Sequence, residues 1–328
     1  MEQPPAPKLD REFALALTAL GEPLYPLPSF PVGDITSRRQ RFNTRIQRSL
    51  STAPPTPNII RHTHEIPTAD GATITLHEFR PKNAPDNSSP AIYHIHGGGM
   101  ILGSVSSFGP SIAAKAESYG LPIFSIDYRL APEHSHPIPV EDCYVGLTWL
   151  HSKARTLGLD PARIMVLGES AGGGLAAGMV IMARDKGLSP PVAYQMLIYP
   201  MLDDRNLGPR PAIEPYTKWR AVDSKTGWGA LLGEAAGRED EVDGHQYASP
   251  ARVESVEGLP PTYIDVGGLD YFLREDIDYA TRLLEAGISV ELHVYPGLPH
   301  DFEWAASSAR IVKSALNNRQ RVVEEFKL

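Results

Sequence analysis

The chain has 328 residues, 42% of them hydrophobic, with 31 basic against 39 acidic side chains and a formal net charge of −8. That length admits two average domains or one large α/β unit, and the acidic balance argues against a nucleic-acid binder, which needs a basic face. The single cysteine, Cys143, leaves no intramolecular disulfide to form, and no run approaches the ~20 apolar residues of a membrane-spanning helix.

The first apolar stretch, residues 13–20, has the look of a signal-peptide core. However, Asp10 and Glu12 stand where a signal carries positive charge, and no cleavage site follows. With one cysteine, this makes a cytoplasmic location the expectation. Leu9, Phe13, Ala16, Leu17 and Leu20 recur at helical spacing. Gly21 and a proline-rich stretch end that helix, and a second, arginine-rich helix is expected from about Ile35 to Leu50. The stripe on the first helix needs an apolar partner, and the segment around Trp219 and Trp228 is the expected one.

A core spanning 53–328 starts beyond Pro54-Pro55-Thr56-Pro57. Ile59–Ile66 and Thr73–Phe79 flank Thr68-Ala69-Asp70-Gly71, a hairpin signal. Further apolar runs at Ala91–Ile95, Pro122–Ile126, Ile164–Leu167, Ala193–Tyr199, Thr262–Val266 and Val290–Tyr295 alternate with helical patterns. Strands separated by helices mean parallel crossovers. The fold class expected is α/β: a mostly parallel sheet of about eight strands, helices on both faces, and an antiparallel hairpin at its start. Residues 203–248 interrupt the rhythm with a long loop and a short helix, Ser224–Leu232.

Two short strings follow buried strands. His96-Gly97-Gly98-Gly99 ends the first, and Gly168-Glu169-Ser170-Ala171-Gly172 ends the run 164–167. The second is a G-x-S-x-G nucleophile elbow, which lifts a serine above a sheet on a sharp strand-to-helix turn. A small and apolar run from Ala171 continues it as a tightly packed helix, whose N-terminus turns a partial positive charge toward the serine. The glycine string is a loop whose N–H groups can face a developing oxyanion. Nucleophile and charge stabiliser together indicate acyl transfer, most simply ester hydrolysis.

With Asp127-Tyr128-Arg129-Leu130-Ala131-Pro132-Glu133 and Pro137-Ile138-Pro139-Val140-Glu141-Asp142 between them, these strings resemble the hormone-sensitive-lipase-like family of the α/β-hydrolases, the family IV carboxylesterases and lipases. The resemblance runs from about Leu9 to the C-terminus, strongest over 92–174 and weakest over 203–245. It implies an α/β-hydrolase core with a helical cap, made of residues 1–52 and a second segment, 203–248; the residues by themselves also allow 1–52 to be an N-terminal arm packed on the core.

A serine nucleophile needs a base, and the base an orienting carboxylate, in the order Ser, Asp or Glu, His. Asp270 follows Thr262–Val266 by a short turn, and His300 follows Val290–Tyr295 by Pro296-Gly297-Leu298-Pro299. The segment Pro299-His300-Asp301-Phe302 resembles the family's catalytic histidine. At the acid the family often has Asp-Pro-Leu-Arg, whereas Asp270-Tyr271-Phe272-Leu273-Arg274 is one residue longer. Among the rivals, Asp265 and His293 lie inside strands, Asp276 and Asp278 read as solvated or capping charges on the next helix, and His245 belongs to the insertion.

The expected triad is therefore Ser170, Asp270 and His300, with the amides of Gly98, Gly99 and Ala171 as the oxyanion hole. His96, Gly97, Gly168, Glu169 and Gly172 support these motifs. Met100, Tyr25, Phe30, Trp219 and Trp228 are candidate pocket residues, each equally readable as cap packing. The function expected is a serine carboxylesterase for small-molecule esters of short- to medium-chain acids. Alternatives are an acyltransferase or specialised pathway esterase with the same triad, a peptidase, and a non-catalytic small-molecule receptor of the same fold. No metal cluster or phosphate loop is recognisable, since Gly172-Gly173-Gly174 lacks the following Lys-Ser/Thr; no cofactor is expected. The sequence leaves a homodimer open.

Overall fold

In the computed structural model, residues 8–21, 28–84, 87–238 and 244–328 are described. Two helices come first. Asp10 caps α1 (Arg11–Ala19) by accepting from the Phe13 N–H at 2.9 Å, and Asp34 caps α2 (Ile35–Thr52) through the Ser37 N–H at 3.0 Å. The hairpin β1 (Ile59–Pro67) and β2 (Thr73–Pro81) pairs from Ile59–Pro81 to Pro67–Thr73. The chain then alternates through β3 (Ser89–Ile95), α3 (Val105–Tyr119), β4 (Ile123–Asp127), α4 (Ile138–Lys153), β5 (Leu159–Glu169), α5 (Ala171–Asp185) and β6 (Tyr194–Ile198). The long insertion holds α6 (Ala221–Leu232) and α7 (His245–Ala248), before β7 (Thr262–Gly267), α8 (Leu273–Glu285), β8 (Val290–Tyr295), α9 (Phe302–Ala306) and α10 (Arg310–Lys327).

The eight strands form one sheet in the order β1-β2-β4-β3-β5-β6-β7-β8. β1, β2 and β4 pair antiparallel, and every other pairing is parallel. Parallel strands buried on both faces sort alternate side chains into two cores. In β5, Ile164 and Val166 join one core while Met165 and Leu167 join the other. The first core is completed by residues of α4, α5, α6 and α8, the second by residues of α1, α3, α9 and α10.

Two details differ from the sequence reading. The stripe of α1 does not pack on the insertion. Phe13 and Leu17 are buried with Tyr295, Leu298, Phe302 and Val312, while Leu15 and Leu20 stay exposed. The Asp10 N–H also donates to the Gly297 carbonyl at 2.9 Å, so α1 docks beside the strand and helix that flank His300. α6 begins three residues earlier than its apolar pattern indicates, because the Asp223 carboxylate accepts from the Arg220 N–H at 3.1 Å and starts the helix there.

Candidate active site

Ser170 sits between β5 and α5 with φ +57° and ψ −122°, a strained conformation for a non-glycine residue. The turn is over-determined. The Ser170 N–H donates to the Ile198 carbonyl at 2.9 Å, and the Ser170 carbonyl accepts from Met201 at 2.9 Å and Gly174 at 3.1 Å. Close approach explains its glycines. A Cβ on Gly172 would collide with the carbonyl oxygens of Ile95 and His96, and one on Gly97 would lie 2.9 Å from the Glu169 carbonyl and 3.2 Å from the Ser170 Cβ. The glycine loop and the elbow thus lie in direct contact.

The loops after β7 and β8 bring the other two candidates to the serine. His300 Nε2 lies 2.9 Å from Ser170 Oγ, and His300 Nδ1 lies 2.7 Å from Asp270 Oδ2. The other Asp270 oxygen accepts from the Phe272 N–H at 2.9 Å, which fixes the carboxylate's plane. Asp270 is fully buried and His300 nearly so. Burial opposes a charged imidazole, but the charge and hydrogen bond of Asp270, with Asp301 behind them, outweigh both burial and Lys218, and the His300 pKa lies above the ordinary histidine value. The His300 ring packs edge-to-face with those of Tyr199 and Phe272, at centroid distances of 4.7 and 5.1 Å, which restricts the imidazole's swing.

Gly98 (φ +127°) and Gly99 (φ +60°) lead the loop past the serine, and Ala171 opens α5, where first-turn amides have no intrahelical acceptor. His96 is a scaffold: its Nδ1 lies 2.8 Å from the Gly97 carbonyl, its ring stacks on Tyr128 at 4.4 Å, and the Tyr128 hydroxyl donates to its carbonyl at 2.9 Å. Burial, against the Gly97 bond and the charges of Asp127 and Glu169, keeps its pKa low. Glu169 is buried and ion-paired to Lys115. Asp127 holds the first amide of α3 at 3.0 Å, and Arg129 forks onto Asp142 at 2.9 and 2.7 Å.

A cavity of about 200 Å³ opens over Ser170, His300 and Gly97–Gly99. Of the candidate pocket residues, Trp219 lines it, held by an indole N–H donated to the Ser224 hydroxyl at 2.9 Å. Met100 and Trp228 do not: both are buried in the first core, where volume and apolarity serve packing. Phe30 lies in an adjoining groove, and Tyr25 falls outside the described residues. The sequence reading missed Phe42, Phe108, Tyr199 and Trp304 as lining residues, and with them Arg41, Arg45 and Lys218. The proximity of Trp304 to His300, four residues on in a new helix, was the one local signal available.

Three rivals for the triad, Asp265, His245 and Asp278, are engaged elsewhere. Asp265 is buried against Arg319, with contacts of 2.6 and 2.9 Å, and His245 faces Asp204 at 3.3 Å. Asp278 pairs with Arg274 on the surface. Asp276 is not the solvated charge its helix position indicates. It is fully buried with neither carboxyl oxygen hydrogen-bonded, and burial, with Glu275, Asp270 and Asp265 nearby, pushes its pKa well up. Among the described residues no group of three or more His, Cys, Asp or Glu could hold a metal, and no helix is long and apolar enough to cross a membrane.

A family model for the alpha/beta hydrolase fold matches residues 92–304. The chain is 33% identical to esterase LipI of Mycobacterium tuberculosis over 73% of this chain and 74% of that one. It is 33% identical to carboxylesterase NlhH of the same species over 84% and 86%. Among solved structures it resembles a bacterial heroin esterase (TM-score 0.87, 34% identity, 98% of each chain) and esterase LipW from Mycobacterium marinum (TM-score 0.83, 28% identity, 97% and 96%). The chain belongs to the α/β-hydrolase fold family, within its hormone-sensitive-lipase-like carboxylesterases.

Proposed function

We propose that the protein hydrolyses small carboxylic esters through an acyl-enzyme on Ser170. His300 Nε2 takes the Ser170 proton as Oγ attacks the ester carbonyl. The oxyanion is received by the amides of Gly98, Gly99 and Ala171. His300 then protonates the departing alkoxide, and water repeats the sequence to release the acid. Asp270 selects the tautomer with a proton on Nδ1 and stabilises the imidazolium. The observation that carries the reading is the relay of 2.9 Å and 2.7 Å from Ser170 through His300 to Asp270, opening into a cavity. The space next to Ser170 is about 200 Å³ before it opens along α2, and that inner volume suits short- to medium-chain acyl groups. We also assign the cap role to α2 and the 203–248 segment, because Arg38, Phe42, Lys218 and Trp219 are cavity walls.

The test is a panel of p-nitrophenyl esters of rising acyl length. Turnover should peak at short or medium chains. Ser170→Ala should lower kcat by roughly 10⁴–10⁶-fold while the folded state persists. A folded Ser170→Ala variant retaining a tenth of the activity removes Ser170 as nucleophile.

A further inference from the structure

The cavity over Ser170 continues into a groove of about 690 Å³ along α2, and the two share Arg41, Phe42, Arg45, Phe108, Asp301 and Trp304. Arg48 lines the groove farther along. Arg38, Arg41, Arg45 and Arg48 follow at steps of three and four residues, which sets them along one face of the helix.

Their charges are unequally matched. The carboxylates lining cavity and groove are Glu169, Asp223 and Asp301. Glu169 is held by Lys115, and Asp223 is held by the buried Arg38 at 2.8 Å. Asp301 is shared by Arg45 at 3.5 Å and Lys218 at 3.6 Å. That leaves Arg41 and Arg48 with no carboxylate partner among the described residues. Arg41 is half-buried; its guanidinium donates to the Pro28 carbonyl at 2.6 Å and lies over the Phe30 ring at 4.2 Å. Burial lowers its pKa; Asp223 is the chief opposing influence, and the nearby Arg38 and Arg220 add to the lowering. A guanidinium drawn partly out of water beside like charges gains most from an anion placed against it.

We propose that the ester turned over here carries an anionic group, a carboxylate in the simplest case, on its non-reacting part, and that Arg41 with Arg48 receives it. The proposal rests on the esterase reading of Ser170, His300 and Asp270. Phe42, Phe108 and Trp304 would cover the carbon skeleton between the ester and the anion.

Matched esters test this. One series is 4-nitrophenyl esters of equal acyl length ending in methyl, carboxylate or trimethylammonium. The other places the same three ends on the alcohol side of butyrate esters. At low salt, the carboxylate ester of at least one series should exceed its methyl counterpart at least tenfold in kcat/KM, mainly through KM. The trimethylammonium ester should be the poorest of the three. Added salt should shrink the preference, since a partly open ion pair is screened. In R41Q/R48Q the carboxylate-to-methyl ratio should fall toward one, and in R41K/R48K most of it should survive. The ratio is the readout because a damaged fold slows all three esters together. The salt and trimethylammonium arms need no variant at all. A wild-type ratio at or below one in both series overturns the proposal while ester hydrolysis stands, as does a ratio that R41Q/R48Q leaves intact. Failure of the wild type to turn over any ester would instead remove the esterase reading beneath it.

Discussion

His300 is where opposing physical influences meet. Burial favours its neutral form; Asp270, at 2.7 Å, favours the charged one and prevails. A base must be neutral to accept the serine proton, so activity should fall as pH drops through the His300 pKa. Because that pKa is raised, the acid limb of the kcat/KM profile should lie above the position an unperturbed histidine would give. Asp270→Asn removes the raising influence, so the limb should move to lower pH while kcat falls by about 10⁴. Profiles of the two proteins decide the matter: a limb that stays in place excludes Asp270 as its cause. The residues of this relay were legible because each sits in a short loop just beyond a readable strand. Asp276 was not. Its position at the fourth residue of α8 resembles that of any first-turn carboxylate, and only packing decides that it is buried beside Glu275, Asp270 and Asp265.

At the scale of elements, α2 and α6 are joined by one buried ion pair. Arg38 reaches Asp223 through Nε at 3.0 Å and a terminal nitrogen at 2.8 Å, and its other nitrogen donates to the carbonyls of Pro31 and Asp34 at 2.8 and 3.0 Å. Asp223 also starts α6, so the pair ties the onset of α6 to the side of α2. Breaking a buried pair from one side leaves the remaining charge uncompensated, which costs roughly 3–5 kcal/mol, whereas replacing both partners with apolar residues costs far less. Arg38→Met and Asp223→Leu alone should therefore each destabilise more than the double variant does, measured by denaturant unfolding. Additive losses would mean that the two residues act separately. The strands were readable because buried parallel strands are short unbroken apolar runs between turn residues. The insertion was only partly readable: α6 starts at a polar cap that an apolar pattern cannot register.

Across the whole molecule, the two N-terminal helices take different work. Both are amphipathic, and an amphipathic stripe says that something apolar faces it without saying what. In α1 the stripe meets Tyr295, Leu298, Phe302 and Val312, the body of the protein behind His300. In α2, Phe42 faces the cavity, with its ring 5.9 Å from Phe108. The same ambiguity explains why Met100 and Trp228 could be read as pocket residues: bulk and apolarity serve a core and a pocket equally. Phe13→Ala and Phe42→Ala separate the two roles. Phe13 is fully buried, so its truncation should cost about 3–5 kcal/mol and lower the melting temperature. It should scale activity on all acyl lengths alike, because no wall of the cavity is removed. Phe42→Ala removes part of the wall, so its stability cost should be small. Its activity relative to wild type should change with acyl length, because longer chains lose more apolar contact, at about 25 cal/mol per Å². Plotting the variant-to-wild-type activity ratio against acyl length gives the answer: a flat line for Phe42→Ala, or a sloped one for Phe13→Ala, would reverse the assignment of α2 to the cap and α1 to the core.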